Sequence, residues 1–425
     1  MWIYQAFPKT RARNGRCVRL LAYNLEGKRF NFATKRFNYR LTPQNDELLS
    51  SWLTRIALAH LTDPATFVNL YLPEWKNILW TKDVDISANE KLLEVLESKC
   101  LLSNEILNNL TLKSYQGYLA DEITANTRIP FLQPLIIHSR IACGYGLRFC
   151  PLCLKEDKVK YFRKKWRLSF STACIVHGCF LLDRCPECGI PITLRRSYYY
   201  RNFPVCHKCG SDFAKSKPEF VEANSYGLKA ISELYKILES GIFSFGDRYT
   251  YSFLFFSVLR QFIKIAYYWG FDKGLLDHES MAQRIDACGI KQKHNFIDDI
   301  PLKAQYLLFS GLIKIFDNFP NNFITFCERN KLGKTELTKD LLAVPFFYTD
   351  IIDPFGMEHN PITCDEIQNV IEYLKRRHVS VCRESVSKTV GIFLRLDERR
   401  DIRDLFARNN IRIGAPTKKE TGDAD

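Results

Sequence analysis

The chain has 425 residues, 46% hydrophobic and 25% charged, and a formal net charge of +14. That length supports two to four domains with a large core, and that balance excludes wholesale disorder. No stretch reaches the ~20 apolar residues of a membrane span, and Met1 to Lys9 lacks the basic-then-apolar order of a signal peptide, so a soluble cytoplasmic protein is expected.

The charge is segmented. Residues 1–40 hold ten Lys/Arg and one acid, net +9, and read as a basic arm with a short hairpin around Asn24-Leu25-Glu26-Gly27. Residues 41–139 hold seven and twelve, net −5, and read as a helical domain. A first helix is predicted from Leu41 to Glu47 onward, capped by Thr42 or Asn45, with Asp46 and Glu47 at the positive end of its dipole. Leu48, Leu49, Trp52, Leu53, Ile56 and Ala57 mark its apolar face. Pro64 and Pro73 punctuate the chain after it. Leu92, Leu93, Val95 and Leu96 mark another helix. Ser103 caps a short one carrying Ile106, Leu107 and Leu110, and the turn at 99–102 makes the pair helix-turn-helix-like.

Residues 140–215 hold fifteen Lys/Arg and five acids, net +10. Within them runs the series Cys150-x₂-Cys153, Cys174-x₂-His177, Cys185-x₂-Cys188, Cys206-x₂-Cys209. Clustered cysteines in a long chain without an export signal read as thiolate ligands before they read as disulfides. Two intervening residues let a tight turn present both side chains to one ion, and four such ligands complete the tetrahedron of Zn²⁺. Pro151 and Pro186, with Gly178, Gly189 and Gly210, suit those turns. Two structural zinc ions are expected, Cys₃His then Cys₄, with no open position for a reacting water. They lower the local charge from +10 to +7, because the two sites carry −1 and −2. Cys179 and His207 are the nearest substitute ligands, while His138, Cys143 and the isolated Cys17, Cys100, Cys288, Cys327, Cys364 and Cys382 read as ordinary residues. Seven residues separate the second and third pairs, which favours two successive ribbons over the interleaved cross-brace of a RING-type ubiquitin ligase.

Basic and aromatic residues alternate in two loops, Tyr161 to Arg167 and Arg195 to Arg201. Arg163, Lys164, Lys165, Arg195, Arg196 and Arg201 are candidate DNA contacts, and Tyr198, Tyr199 and Tyr200 could stack on bases. Trp166, Leu168 and Phe170 read as the inward face of a ribbon strand. Residues 216–425 hold twenty-nine charges of each sign. Helices are predicted over Tyr226–Gly241, Tyr249–Gly270 and Pro301–Arg329. Thr363 and Glu366 form a capping box before Ile367. A further short helix, Arg383 to Val390, ends at Gly391, making a second helix-turn-helix candidate with Arg383, Ser387 and Lys388 on its polar side. Residues 415–425 read as a solvated tail.

The expected fold is therefore mostly α with small β zinc ribbons. It comprises an arm (1–40), a helical domain (41–139), tandem ribbons (140–218), a helical C-terminal domain (219–414) and a tail (415–425). No phosphate-binding glycine loop, nucleophile elbow or acidic pair for two Mg²⁺ ions is present, so an enzyme is not expected.

Four stretches resemble the TniQ/TnsD family of transposon target-selection proteins: Asp46 to Ala57; Leu107 to Leu119 with its Tyr115-Gln116-Gly117; Phe149 to Gly178; and Leu181 to Gly189. The resemblance implies a bacterial, non-catalytic selector of insertion sites, nucleoid-associated when bound to double-stranded DNA. Such a protein recruits a TnsC-like AAA+ ATPase, which licenses the transposase. The family also includes adaptors seated on CRISPR guide-RNA effector complexes, and a homodimer is open. Outside the family, the zinc pattern also suits a zinc-ribbon transcription regulator. The acidic 41–139 segment would face the protein partner and the basic segment the DNA.

Overall fold

A computed structural model describes residues 36–125, 127–138, 141–222, 225–268, 298, 300–356, 362–390 and 400–411. The expected Asn24–Gly27 hairpin, Cys17, Cys288, Gly391 and the tail 415–425 lie outside the described residues. Two compact units divide between Ile351 and Ile352.

The first unit opens with Phe37, which is buried against Phe67 and Tyr71 and donates its amide to Lys99 O at 3.0 Å, so the last residues of the expected arm belong to the core. Helix α1 spans Leu49–Ala59 and buries Leu49, Trp52, Leu53, Ile56 and Ala57. It starts later than the cap residues predict. Asp46 takes a left-handed φ of 59°, and Glu47 turns inward. The Glu47 carboxylate accepts from Gln44 N and Ser51 Oγ, each at 2.9 Å, and pairs with the largely buried Arg55. A carboxylate committed to three internal donors no longer serves the helix dipole at the surface.

Helix α2 (Pro64–Tyr71) starts on a proline, whose missing N–H is unneeded in a first turn. A short α3 (Val84–Ser87) is capped by Asp83. Asn89 caps α4 (Glu90–Cys100), Leu101 turns left-handed, and Ser103 caps α5 (Asn104–Asn109) as expected. These helices close one apolar cluster from Phe37 to Leu110.

After a hairpin of β1 (Ile137–His138) and β2 (Ile141–Ala142) comes α6 (Pro151–Glu156), then the hairpin of β3 (Ala173–Cys174) and β4 (Cys179–Phe180). The segment around Trp166 is not the expected strand. Lys164–Arg167 is a 3-10 turn, and Arg167, Leu168, Ser169 and Phe170 are all buried, so no inward–outward alternation exists.

Helix α7 spans Tyr226–Ser240 and ends on left-handed Gly241 (φ 73°), where the sequence places it. The sequence reading misses a hairpin, β5 (Ile242–Phe245) and β6 (Arg248–Tyr251), between α7 and α8 (Ser252–Tyr268). The helix expected over 301–329 is two, α9 (Leu302–Phe316) and α10 (Asn321–Arg329), with Asn318 left-handed and Pro320 unable to donate an amide hydrogen between them. Helices α11 (Lys334–Thr338) and α12 (Phe346–Ile352) come next. Gly227 lets α7 meet α9, since a Cβ there would sit 2.1 Å from the Tyr306 ring.

The second unit packs α13 (Cys364–Arg376), α14 (Arg383–Val390) and α15 (Arg400–Arg408) around Ile367, Ile371, Leu374, Val386, Ile402 and Phe406. The Thr363–Glu366 capping box is present.

Helices dominate, and the described strands form only two-stranded sheets. Neither 139/140 nor 218/219 separates compact units. Leu48 N bonds Phe162 O at 3.0 Å and Ser171 Oγ meets Tyr235 OH at 2.6 Å, so the helical segments and the cysteine-rich segment share one interior. No helix among the described residues is long and apolar enough to cross a membrane.

Arg167 is the polar centre of that interior. It pairs with Asp83 and Asp85, and Asp85 also accepts from Ser50 N at 2.7 Å and Ser50 Oγ at 2.8 Å. Burial, with Asp83 beside it, pushes the Asp85 carboxyl up to about 7, against the opposing pull of Arg167 and Ser50. One guanidinium faces two carboxylates, so a retained proton balances the cluster. The folded chain thus favours protonated Asp85; that contribution is complete below the ordinary carboxylate range and is lost as pH rises through about 7. Melting curves of wild type and Asp85→Asn between about pH 5 and pH 8 should show the wild type losing ground as pH rises; parallel curves would refute this.

Candidate metal centres and basic loops

The eight paired ligands gather into two groups in chain order: Cys150, Cys153, Cys174 and His177, then Cys185, Cys188, Cys206 and Cys209. Within each group all ligand atoms lie within 4.8 Å of one another. The grouping is sequential, not the cross-brace of a RING domain.

The first group draws on two elements. Cys150 is the N-cap of α6, and Pro151 occupies its first turn, so a helix start presents Cys150 and Cys153 together. Cys174 and His177 flank the turn between β3 and β4, closed by the bond from Gly178 N to Cys174 O at 2.8 Å. The same loop closure recurs at Gly189 N to Cys185 O and Gly210 N to Cys206 O, both 2.9 Å. All three glycines have positive φ, which a side chain would oppose. The helical first pair needs no such glycine, and the sequence has none there.

His177 Nδ1 stands 3.5, 3.3 and 3.4 Å from the sulfurs of Cys150, Cys153 and Cys174, and the Cys153 and Cys174 sulfurs are 3.7 Å apart. A zinc tetrahedron with bonds of about 2.3 Å to sulfur and 2.0–2.1 Å to nitrogen has edges of roughly 3.5–3.8 Å. The donor set therefore fits Zn²⁺. His177 Nε2 meets Glu156 Oε2 at 2.9 Å, an outer carboxylate that turns Nδ1 toward the sulfurs. Cys179 is buried with its sulfur 3.6 Å from that of Cys150, a neighbour outside the group of four. In the second group the Cys185–Cys209 and Cys188–Cys206 sulfurs are each 3.6 Å apart. Around it the backbone pairs only as isolated bridges, Arg184 with Pro191 and Val205 with Asp212. The three cysteines of the first group are buried, whereas Cys209 is exposed.

The basic residues divide by what already holds them. Arg163 pairs with Asp157 at 2.8 Å and lies over the Tyr161 and Trp166 rings. Lys164 Nζ bonds Asn109 O and Ser114 Oγ, and burial lowers its pKa, opposed by Asp46. Lys165 donates its backbone N to Asp46 and reaches over Tyr235. These contacts hold the three half-buried side chains against the rest of the chain. In the second loop the exposed side chains are aromatic. Tyr199 and Tyr200 are 42% and 57% exposed, Tyr198 stacks on Tyr200 at 5.3 Å, and Arg201 lies over both Tyr198 and Tyr200. Arg195 and Arg196 sit half-buried at the start of this loop. Arg383, Ser387 and Lys388 lie on α14 of the second unit; the first two are half-buried and Lys388 is exposed.

Residues 38–181 match the TniQ family model. The match covers 144 of the 425 residues. Its span encloses the whole first group of ligands and stops before Cys185, so the second group lies beyond it. The match suggests a transposition-associated protein. None of the curated proteins compared matches the chain.

Proposed function

We propose that this protein is a non-catalytic selector of transposon insertion sites that binds two structural zinc ions, contacts double-stranded DNA and recruits a TnsC-like AAA+ ATPase. The TniQ domain, built around the first ligand group, carries the reading. Cys150, Cys153, Cys174 and His177 would hold one ion and the Cys₄ group the other, each closing its tetrahedron with protein ligands. Zinc supplies structure here, not an open site for chemistry.

For DNA contact the Arg195–Arg201 loop is the preferred element, because Tyr199 and Tyr200 are exposed and Arg201 lies over the stacked Tyr198 and Tyr200 rings. Arg195, Arg196 and Arg201 there, and Arg383 and Lys388 on α14, would neutralise phosphates, and Tyr199 and Tyr200 would supply stacking. Anisotropy titrations of duplex DNA should show affinity falling steeply with salt, and Tyr199→Ser/Tyr200→Ser should weaken binding by about tenfold. A flat salt response defeats direct DNA contact. Binding only when a guide-RNA effector complex is present moves the reading to an adaptor on that complex. Pull-down of the cognate ATPase with and without a zinc chelator tests recruitment.

A further inference from the structure

The first ligand group holds three cysteines and a histidine, and a fourth cysteine stands against it. Cys179 lies directly opposite Cys174 in the β3–β4 register, so both side chains leave the same face of the hairpin. Further along, Phe149 N bonds Leu182 O and Leu182 N bonds Phe149 O, both at 2.9 Å, which draws the chain after β4 alongside the segment that enters α6. Two close sulfur pairs result: Cys153 with Cys174 at 3.7 Å, and Cys150 with Cys179 at 3.6 Å. Each pair takes one sulfur from the start of α6 and one from the hairpin.

The pairs differ in access. A pocket of about 200 Å³ is lined by Cys153, Cys174 and His177. Cys150 and Cys179 are both 0% exposed. A small oxidant therefore meets the Cys153–Cys174 pair first, and a thiolate is the form of cysteine that it attacks. Three ligand thiolates cannot all be paired among themselves. Joining Cys153 to Cys174 leaves Cys150 over, and an oxidised cysteine with no partner passes on to sulfinic acid, which thiols do not reduce. Cys179 makes the number even. The Cys₄ group needs no such addition, since its own ligands already approach as Cys185–Cys209 and Cys188–Cys206.

We propose that Cys179 is a resolving thiol, and that a hydroperoxide converts the first centre into two disulfides, Cys153–Cys174 and Cys150–Cys179, with release of Zn²⁺. With hydrogen peroxide, one pocket-lining thiolate attacks an oxygen, the O–O bond breaks, hydroxide leaves and a sulfenic acid forms. The facing thiolate attacks that sulfur, the S–O bond breaks and a second hydroxide leaves. A second peroxide oxidises Cys150 in the same way. Cys179 resolves it, and the thiol proton leaves with the oxygen as water. Each disulfide passes two electrons to one peroxide, while zinc keeps its charge and retains only His177 of its ligands. Both bonds join the start of α6 to the hairpin, the two elements that the metal joins, so the oxidised chain keeps that tie and takes zinc back on reduction.

This rests on zinc at the first centre and not on the DNA reading. The test treats the full zinc-loaded chain with hydrogen peroxide, follows released zinc, and maps disulfides by mass spectrometry of unreduced peptides. Wild type should show both bonds, and dithiothreitol with added zinc should restore its metal content. Cys179→Ser keeps a hydrogen-bond donor beside Cys150 but cannot form the bond. It should load with zinc as wild type does, carry Cys150 as sulfinic acid after treatment, and recover about one zinc ion fewer. Cys179→Ala should behave likewise, so either variant serves if the other folds poorly. Cys150 linked to Cys153 or Cys174, Cys179 still reduced once zinc has left, or full recovery by both variants overturns the proposal and leaves the metal assignment standing. A wild type that takes up no zinc overturns both.

Discussion

Cys150→Ser is expected to unfold the first compact unit, whereas Cys209→Ser should leave it folded with one zinc fewer. The difference lies in what each cluster joins. The first gathers the start of α6 and the β3–β4 turn through three buried cysteines. Its surroundings are core: Phe149 stacks on Phe213 at 4.7 Å and bonds Leu182 across the chain, and Phe162 is fully buried. Without metal, three thiols and an imidazole stand packed together with no charge to organise them. Structural zinc contributes about 10–16 kcal/mol in small zinc-folded peptides. A whole domain is stable by only about 5–15 kcal/mol. Even a fraction of that metal term decides whether the unit folds. The second cluster sits nearer the solvent, and Cys209 is exposed, so water replaces a lost ligand there at smaller cost. Elemental analysis should give two zinc ions for wild type, and chelation should remove them with loss of the cooperative melt. Cys209→Ser should melt close to wild type and, on the DNA contact proposed for the neighbouring tyrosine loop, bind duplex more weakly. A metal-free Cys150→Ser protein that melts like wild type would sink the structural assignment.

The ligand pairs were legible in the sequence because their x₂ spacing is a local constraint, set by one turn of chain. The grouping into two sets in chain order agrees with the seven-residue spacer. Local capping was legible as well: Thr363–Glu366, Ser103 and Gly241 act where short-range chemistry places them. What the sequence hid is non-local. Asp46 and Glu47 look like helix-dipole residues until Arg55, Ser51 and Lys165 are brought to them. Nor does the sequence show that Asp157 holds Arg163, or that Asn109 and Ser114 hold Lys164. A basic run reports that charges are present and cannot say which carboxylate or carbonyl the fold will set against them. The β5–β6 hairpin was missed for a related reason: an aromatic-rich stretch next to a helix continues the helical pattern as easily as it alternates. Only the Gly246-Asp247 turn, with Phe243 and Phe245 two apart before it, signalled strands.

Arg167→Met is expected to destabilise the first unit by about 3–5 kcal/mol, because it leaves a buried carboxylate pair without its counter-charge. Arg167 is fully buried, and Asp83 and Asp85 are 13% and 0% exposed. Its Nη2 and Nε also donate to Gln133 O, at 2.7 and 3.3 Å. One side chain thus ties the start of α3, the start of α1 through Ser50 and Asp85, the Gln133 backbone and the segment between the two halves of the first zinc cluster. Arg167→Lys should recover only part of the loss, since an ammonium keeps the charge but not the fork that reaches both carboxylates. The variant Arg167→Met/Asp83→Asn/Asp85→Asn should recover more than the single changes sum to, because it removes the unpaired charges along with the guanidinium. Chemical denaturation of six proteins, these four with Asp83→Asn and Asp85→Asn alone, measures these terms, and zinc content should remain two per chain throughout, separating this network from loss of a ligand. The proton on Asp85 sets the pH dependence. Burial and Asp83 already hold its carboxyl at about 7 with Arg167 in place; without Arg167 its pKa can only rise further. The single variant can therefore neutralise that carboxylate in acid but must bear its charge in base, so its deficit against wild type should be smaller near pH 5 than near pH 8. A deficit that does not change with pH would mean that packing around the introduced methionine, not charge, carries the loss.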